Sequence, residues 1–194
     1  MTLLLSLLTA LVVFSYGPAP SLSCDLPQNH ILASKETSEL LEQMRRLSPF
    51  LCLKDRKDFR FPQEMVDGNQ LQKAQAISVL HTMLQQIINL FHTNNSSTAW
   101  NMTLLHQLHS GLERQLENLD TCLVQAMEEE ESIPATEGPV LAVKRYFQGI
   151  HLYLKEKEYS DCAWEIVRVE IRRCFSSTKL QERLRRKHGD VGSS

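Results

Sequence analysis

The sequence predicts an all-α fold of five amphipathic helices, four of them packed as a bundle, with a long first crossover loop. Two observations predict it. Apolar residues recur at helical spacing in five separate stretches, each giving a stripe that must pack against a partner. Between the first two stretches lie about 20 residues that sustain neither a helical nor a strand period, which makes that connection a long one. One local pattern competes: Val167, Val169 and Ile171 alternate with Arg168, Glu170 and Arg172 as in a half-buried strand, but the flanking residues favour a helix.

The chain opens with an uncharged apolar run at residues 3–14, followed by Gly17, Pro18, Pro20 and the small-x-small pattern Ser21-Leu22-Ser23. This is the form of a secretory signal peptide spanning residues 1–23, although no Lys or Arg precedes the run. The run is too short to cross a bilayer, which takes about 20 residues. The mature domain is then residues 24–194, secreted and not inserted in a membrane, because no second run of spanning length follows.

The first helix is expected at residues 33–46, from Leu40, Leu41, Met44 and Leu47, with Ser48-Pro49 as its stop. The connection over residues 50–69 is punctuated by Pro62, Asp67 and Gly68, and Cys52 within it suggests a disulfide pin. A second helix over residues 74–91 follows from Ile77, Leu80, Leu84, Ile87, Ile88 and Phe91. Residues 93–98 break it, and Asn94, Asn95 and Asn101 each begin a glycosylation acceptor triplet in or beside this polar stretch.

The third helix, residues 101–127, carries a seam of Leu105, Leu108, Leu112, Leu116, Leu119 and Leu123. His106, His109 and Glu113 share another part of its surface, but no further firm ligand accompanies them and no metal is expected. Four acids, Glu128 to Glu131, with Pro134, Gly138 and Pro139, read as a solvated loop. The fourth helix presents Val143, Tyr146, Phe147, Ile150, Tyr153 and Leu154 on one face, with Lys144, Arg145, Gln148 and His151 elsewhere on its wheel. The short connection after it makes the last two helices antiparallel neighbours.

Ser160 and Asp161 are good starters for the fifth helix, which groups Ala163, Trp164, Val167, Ile171, Cys174 and Phe175 on one face. Arg168, Val169, Arg172, Arg173 and Ser176 are assigned to the outward face, either as a solvated surface or as a docking stripe. From about residue 181 the chain becomes a flexible basic tail.

A net charge of −2 argues against a nucleic-acid partner, since neutralising phosphates takes an excess of Lys and Arg. Secretion makes Cys24, Cys52, Cys122, Cys162 and Cys174 candidates for disulfides. The odd count leaves one over: Cys174, on the buried face, is the candidate free thiol, and a bridge to a second chain is the alternative. No Gly-rich phosphate loop, GxSxG, HExxH or CxxC is found, and neither an enzyme nor a cofactor is expected. Helices, crossover, secretion and disulfides together describe a long-chain helical cytokine.

Particular residues narrow the class. Cys24 to Gln28 read CDLPQ, Cys52 to Arg56 read CLKDR, Asp58 to Met65 read DFRFPQEM, Tyr146 to Gln148 read YFQ, and Tyr159 to Glu165 read YSDCAWE. They closely resemble the type I interferons over the whole mature chain. Asn101-Met102-Thr103 and a long C-terminal tail resemble the omega branch of that family. The resemblance implies bridges from Cys24 to Cys122 and from Cys52 to Cys162, with Cys174 outside the scheme. It implies that both chains of the type I interferon receptor are partners. Leu53, Arg56, Arg168, Val169, Arg173 and Ser176 would meet the high-affinity chain, together with Arg172, where interferon alpha commonly has methionine. Asn89, His109, Glu113, Lys144, Arg145 and Gln148 would meet the low-affinity chain, His109 and Glu113 standing where relatives have aromatic residues. The ligand would act as a monomer. A secreted four-helix hormone of growth-hormone type is the rival reading of the same bundle; a secreted helical lipid carrier is a second rival, but it should show tandem amphipathic repeats.

Overall fold

The computed structural model describes residues 26–66, 71–129 and 137–176. The signal segment 1–23, Cys24, the end of the acidic run and the tail from about 181 lie outside the described residues. In order, the elements are α1 (Leu26–Gln43), a 3-10 helix (Pro49–Asp55), α2 (Gln63–Val66), α3 (Lys73–Phe91), α4 (Asn94–Ala99), α5 (Met102–Glu129), α6 (Glu137–Glu156) and α7 (Asp161–Ser176). No strand occurs among the described residues, so the helical reading of 167–172 holds.

Contacts between named side chains give the helix directions. Arg114 meets Glu36 and Gln115 meets Thr37, which sets α5 beside α1. His81 meets Asp120 while His92 lies against His109, so α3 runs antiparallel to α5. Arg172 reaches Glu42 and Asp161 reaches Arg46, which makes α7 antiparallel to α1; Tyr146 reaches Glu170 and Cys174, which makes α6 antiparallel to α7. The ends of α1 and α3 meet at the start of α7, where Arg46 bonds Asp161 and the Ala99 carbonyl and Phe91 packs on Trp164, so α1 and α3 are parallel. Two consecutive parallel helices need a connection that travels the length of the bundle, and this is the physical reason for the long first crossover.

Each long helix buries the stripe its sequence displays. Ile77, Leu80, Leu84 and Ile87 on α3, Leu108 and Leu112 on α5, Phe147 and Ile150 on α6, and Trp164, Val167 and Ile171 on α7 are all essentially inaccessible to solvent. Fully burying one such side chain contributes about 1.5–3 kcal/mol. Phe91 packs against Trp100 and Trp164, at 6.4 and 6.1 Å between ring centroids, and the two indoles meet each other at 6.2 Å. One polar pin crosses this core: Gln115 Nε2 donates to Thr37 Oγ1 at 3.0 Å, and that hydroxyl donates to the Ala33 carbonyl.

Local chemistry sets the helix ends. The side chains of Gln72 and Gln75 cap α3 reciprocally, as those of Thr93 and Ser96 cap α4. Asn101 Oδ1 accepts from the Thr103 and Leu104 amides at the start of α5, and Ser160 Oγ accepts from the Ala163 amide at the start of α7.

Several boundaries differ from those read in the sequence. The first helix begins at Leu26, before the apolar repeat that marks it in the sequence. Residues 94–99, read as a break, form a short helix once the Thr93 cap is made. Gly138 and Pro139 fall in the first turn of α6, where Pro's missing amide costs nothing.

Candidate functional site

The crossover connection is held down along its length. Cys52 and Cys162 form a disulfide that joins the 3-10 helix to the first turn of α7. Tyr153 Oη donates to the Asp55 carbonyl at 2.7 Å, and Lys157 pairs with Asp55 at 3.1 Å. Phe59 and Phe61 then set their edges against Tyr153 and Tyr146, which lie seven residues apart on one face of α6, at 5.1 and 5.2 Å between centroids. Burial and the nearby carboxylates push the Tyr153 hydroxyl up to about 12, so it remains a donor at any physiological pH. Segment 49–61, which shows no period in the sequence, is thus ordered by tertiary contacts.

Pinning the backbone leaves side chains outside. Phe50, Leu51 and Leu53 are 81%, 74% and 58% exposed around the fully buried Cys52. An apolar cluster held in water on a stapled loop is a candidate binding surface. Arg56 is exposed at the end of the 3-10 helix, and on α7 Arg173 is exposed, Arg172 half-exposed and Val169 half-buried. Ser176 closes α7. Loop and last helix are therefore held side by side as a candidate composite face, because the bridge joins them. Sequence reasoning missed Phe50 and Leu51, since an aperiodic segment gives no inside or outside; their signal was three large apolar residues crowded around a cysteine.

Arg168 is a correction. Its outward assignment fails: the guanidinium is 1% exposed and forks onto Glu165, equally buried, at 2.7 and 3.0 Å. Its third donor reaches the Leu41 carbonyl at 2.7 Å, one of the terminal carbonyls of α1 that no following turn satisfies. Glu42, 3.6 Å away, adds a second carboxylate. The side chain is taken inward because α1 supplies both an acceptor and a charge there.

On the other side of the molecule, α3 has α5 and α6 as neighbours, and the remaining candidates lie on these three helices. Asn89, Glu113, Lys144, Arg145 and Gln148 are exposed. His109 is half-buried, its ring 5.4 Å from that of His92, and its Nε2 is shielded from water without a hydrogen-bond partner. Burial, and then the charge of His92, lower its pKa below the ordinary value of 6.5, outweighing a backbone hydrogen bond to Phe91.

Among the acceptor asparagines, Asn95 and Asn101 are exposed, and Asn94 is exposed at the first position of α4. The α5 cap uses Asn101 Oδ1, leaving its amide nitrogen, the atom a glycan takes, outside the cap. Cys122 is disulfide-bonded, and its expected partner Cys24 lies outside the described residues. Cys174 keeps its thiol, buried 3.3 Å from Tyr146 Oη, and burial pushes it up to about 12. Tyr146 Oη donates to Glu170 Oε1 at 2.8 Å, and its own pKa is raised by burial first. Among the described residues no three metal-ligating side chains converge, and no helix is long and apolar enough to cross a membrane.

Parallel first long helices, a long crossover and a surface loop stapled to the last helix define a long-chain helical cytokine. The sequence matches the interferon alpha/beta domain family over residues 26–184. It is 66% identical to human interferon omega-1 over 195 residues and 68% identical to horse interferon omega-2 over 194, covering the whole of both chains in each case. Bovine interferon tau-1 is 62% identical, again over full length. Zebrafish interferon 2 superposes with a TM-score of 0.67 at 25% identity, covering 77% of this chain and 96% of its own. The chain belongs to the type I interferon family, whose members are cytokines and not enzymes, and its likeness runs to the omega branch.

Proposed function

We propose that this interferon is secreted after loss of residues 1–23 and bridges the two chains of the type I interferon receptor as a monomer. The observation that supports the reading is the Cys52–Cys162 staple, which joins the loop that carries Leu53 and Arg56 to the helix that carries Val169, Arg172, Arg173 and Ser176. The composite face, with Phe50 and Leu51 added, meets the high-affinity receptor chain; Arg168 supports it from beneath. The helices on the other side offer Asn89, His109, Glu113, Lys144, Arg145 and Gln148 to the low-affinity chain. Capture by the first chain holds the ligand at the cell surface, where the second meets it at a raised effective concentration and a weak contact suffices. Joining the chains lets their Janus kinases activate each other and start an antiviral, antiproliferative programme. Asn94, Asn95 and Asn101 are proposed glycan sites at the end of the bundle formed by α4.

The test is surface binding of the oxidised chain 24–194 to each receptor ectodomain from a matched species. Leu53→Ala and Arg56→Ala should each weaken the high-affinity interaction at least tenfold, about 1.4 kcal/mol. Arg145→Glu should weaken only the second interaction. Unchanged binding by both loop variants would sink the face assignment.

A further inference from the structure

Four cations crowd the crossover without carboxylate partners. Lys54, Arg56, Lys57 and Arg60 are all exposed, and among the described residues none of them makes an ion pair. The two acids of the same stretch are engaged elsewhere. Asp55 pairs with Lys157 of α6 at 3.1 Å, and Asp58 turns its Oδ1 back to accept from the Arg60 amide at 3.0 Å. Arg60 stands at a positive φ of 54°, between Phe59 and Phe61, whose edges are set against Tyr153 and Tyr146. The aromatic residues thus face α6 while the cations stay in water. Lys57 Nζ lies 5.5 Å from the centre of the Tyr153 ring, which attracts the ammonium without neutralising it.

We infer that segment 54–60 is a docking surface for a linear sulfated polysaccharide of the glycosaminoglycan class. A short basic run attracts such a polymer because each contact releases a counterion condensed on it. The chain carries a net charge of −2, so this attraction is local and not a property of the whole molecule. The arrangement favours a polysaccharide over two other polyanions. A nucleic-acid strand is held by exposed rings on which its bases stack, and both phenylalanines here are engaged with α6. An anionic bilayer takes up apolar side chains from among the cations. Within 54–60 the one apolar residue, Phe59, is turned into the fold, and the exposed cluster of Phe50, Leu51 and Leu53 ends before the cations begin. A sulfated chain needs only a row of cations. The backbone beneath this row is already held by the Cys52–Cys162 bridge and the two aromatic contacts, so docking orders side chains alone.

The test is binding of the oxidised chain 24–194 to immobilised heparin over a range of salt concentrations. Lys54→Gln, Lys57→Gln and Arg60→Asn together should weaken binding at least about tenfold at about 0.15 M salt, and flatten the slope of log affinity against log salt by about 2–3. Lys35→Gln, Arg45→Gln and Arg114→Gln remove the same charge elsewhere on the surface and should weaken binding less than about threefold. Lys54→Gln alone should flatten the slope by about 1, which reads the same surface should the triple variant fold poorly. Equal losses in the two triple variants would reduce the attraction to net charge, and unchanged binding by the loop variant would assign it to the basic residues beyond 181. Binding to double-stranded DNA or to phosphatidylserine–phosphatidylcholine vesicles as tight as to heparin would name a different partner. Each of these results overturns the inference. None of the three substituted loop residues belongs to the proposed receptor face, so Leu53→Ala on the receptor ectodomain tests that reading separately.

Discussion

Truncating Arg168 to Ala should cost stability first and binding second. The guanidinium makes two bonds to Glu165, at 3.0 and 2.7 Å, and one to the Leu41 carbonyl at 2.7 Å, all out of reach of water. Arg168→Ala leaves the Glu165 carboxylate, 1% exposed, as a buried charge without its cation, and strands a helix-terminal carbonyl. Removing one partner of a buried pair costs about 3–5 kcal/mol. For a chain of this size each kcal/mol moves the midpoint by roughly 2–4 °C, so the expected fall is about 6–20 °C. Lys35→Ala provides the contrast, because its pair with Glu39 is 3.8 Å long and mostly exposed and should move the midpoint by about 2 °C or less. Replacing both members, Glu165→Gln with Arg168→Met, should recover most of the loss, since a neutral pair of similar volume leaves no stranded charge. Circular dichroism during heating is the assay. A fall of under about 2 °C for Arg168→Ala would refute the buried-pair argument. Receptor binding measured well below the midpoint should then be affected far less than by Arg56→Ala, because Arg168 touches the partner only through the fold.

Three further outcomes follow from the same contacts. Opening the Cys52–Cys162 bridge with Cys52→Ser and Cys162→Ser frees a loop of 110 residues; the chain-entropy estimate is about 5 kcal/mol as an upper figure, read by denaturant unfolding. Cys174, raised to about 12 by burial, stays a neutral thiol near pH 8 and should resist iodoacetamide in the native chain while alkylating fully after unfolding; rapid native alkylation, seen by mass spectrometry, would contradict its placement. His109 is held below 6.5 by burial and by His92, so the unfolded chain takes up its proton first as pH falls. Its contribution to stability is therefore present above about pH 6.5 and lost as pH drops through the folded pKa. Denaturant midpoints should decline from about pH 7.5 to about pH 5.5, and decline less in His109→Gln; equal slopes would place the titration elsewhere.

What the sequence made legible is the set of helix faces. Residues 77, 80, 84, 87, 88 and 91 recur at helical spacing, and the structure buries all six. The leucine seam on α5 was read almost correctly, but its buried line runs through Gln115, Cys122 and Ala126, while Leu116 and Leu123 are only partly covered. A polar glutamine was passed over because a lone sequence cannot show that Thr37 waits across the interface. Arg168 shows the same effect of polarity. It stands four residues after Trp164, three before Ile171 and seven before Phe175, so the wheel itself put it on the inner edge; its charge alone moved it outward. Glu165, three residues earlier, was the available hint. The crossover was unreadable for a different reason: its order comes from Tyr146, Tyr153 and Cys162, roughly 85 to 110 residues away, and no local period encodes contacts of that range.

The staple between Cys52 and Cys162 has a consequence in time. During synthesis, the loop cysteine leaves the ribosome 110 residues before the one it must meet. Throughout that interval Phe50, Leu51 and Leu53 belong to an untethered segment, and α7, the other half of the face, does not exist. Cys122 emerges first of the possible later partners, so a correct face requires that Cys52 pass it by. A chain truncated before the last helix, or released with mismatched cysteines, has helices but no composite face. The composite face is thus the last feature this molecule acquires, and it arrives with an oxidation.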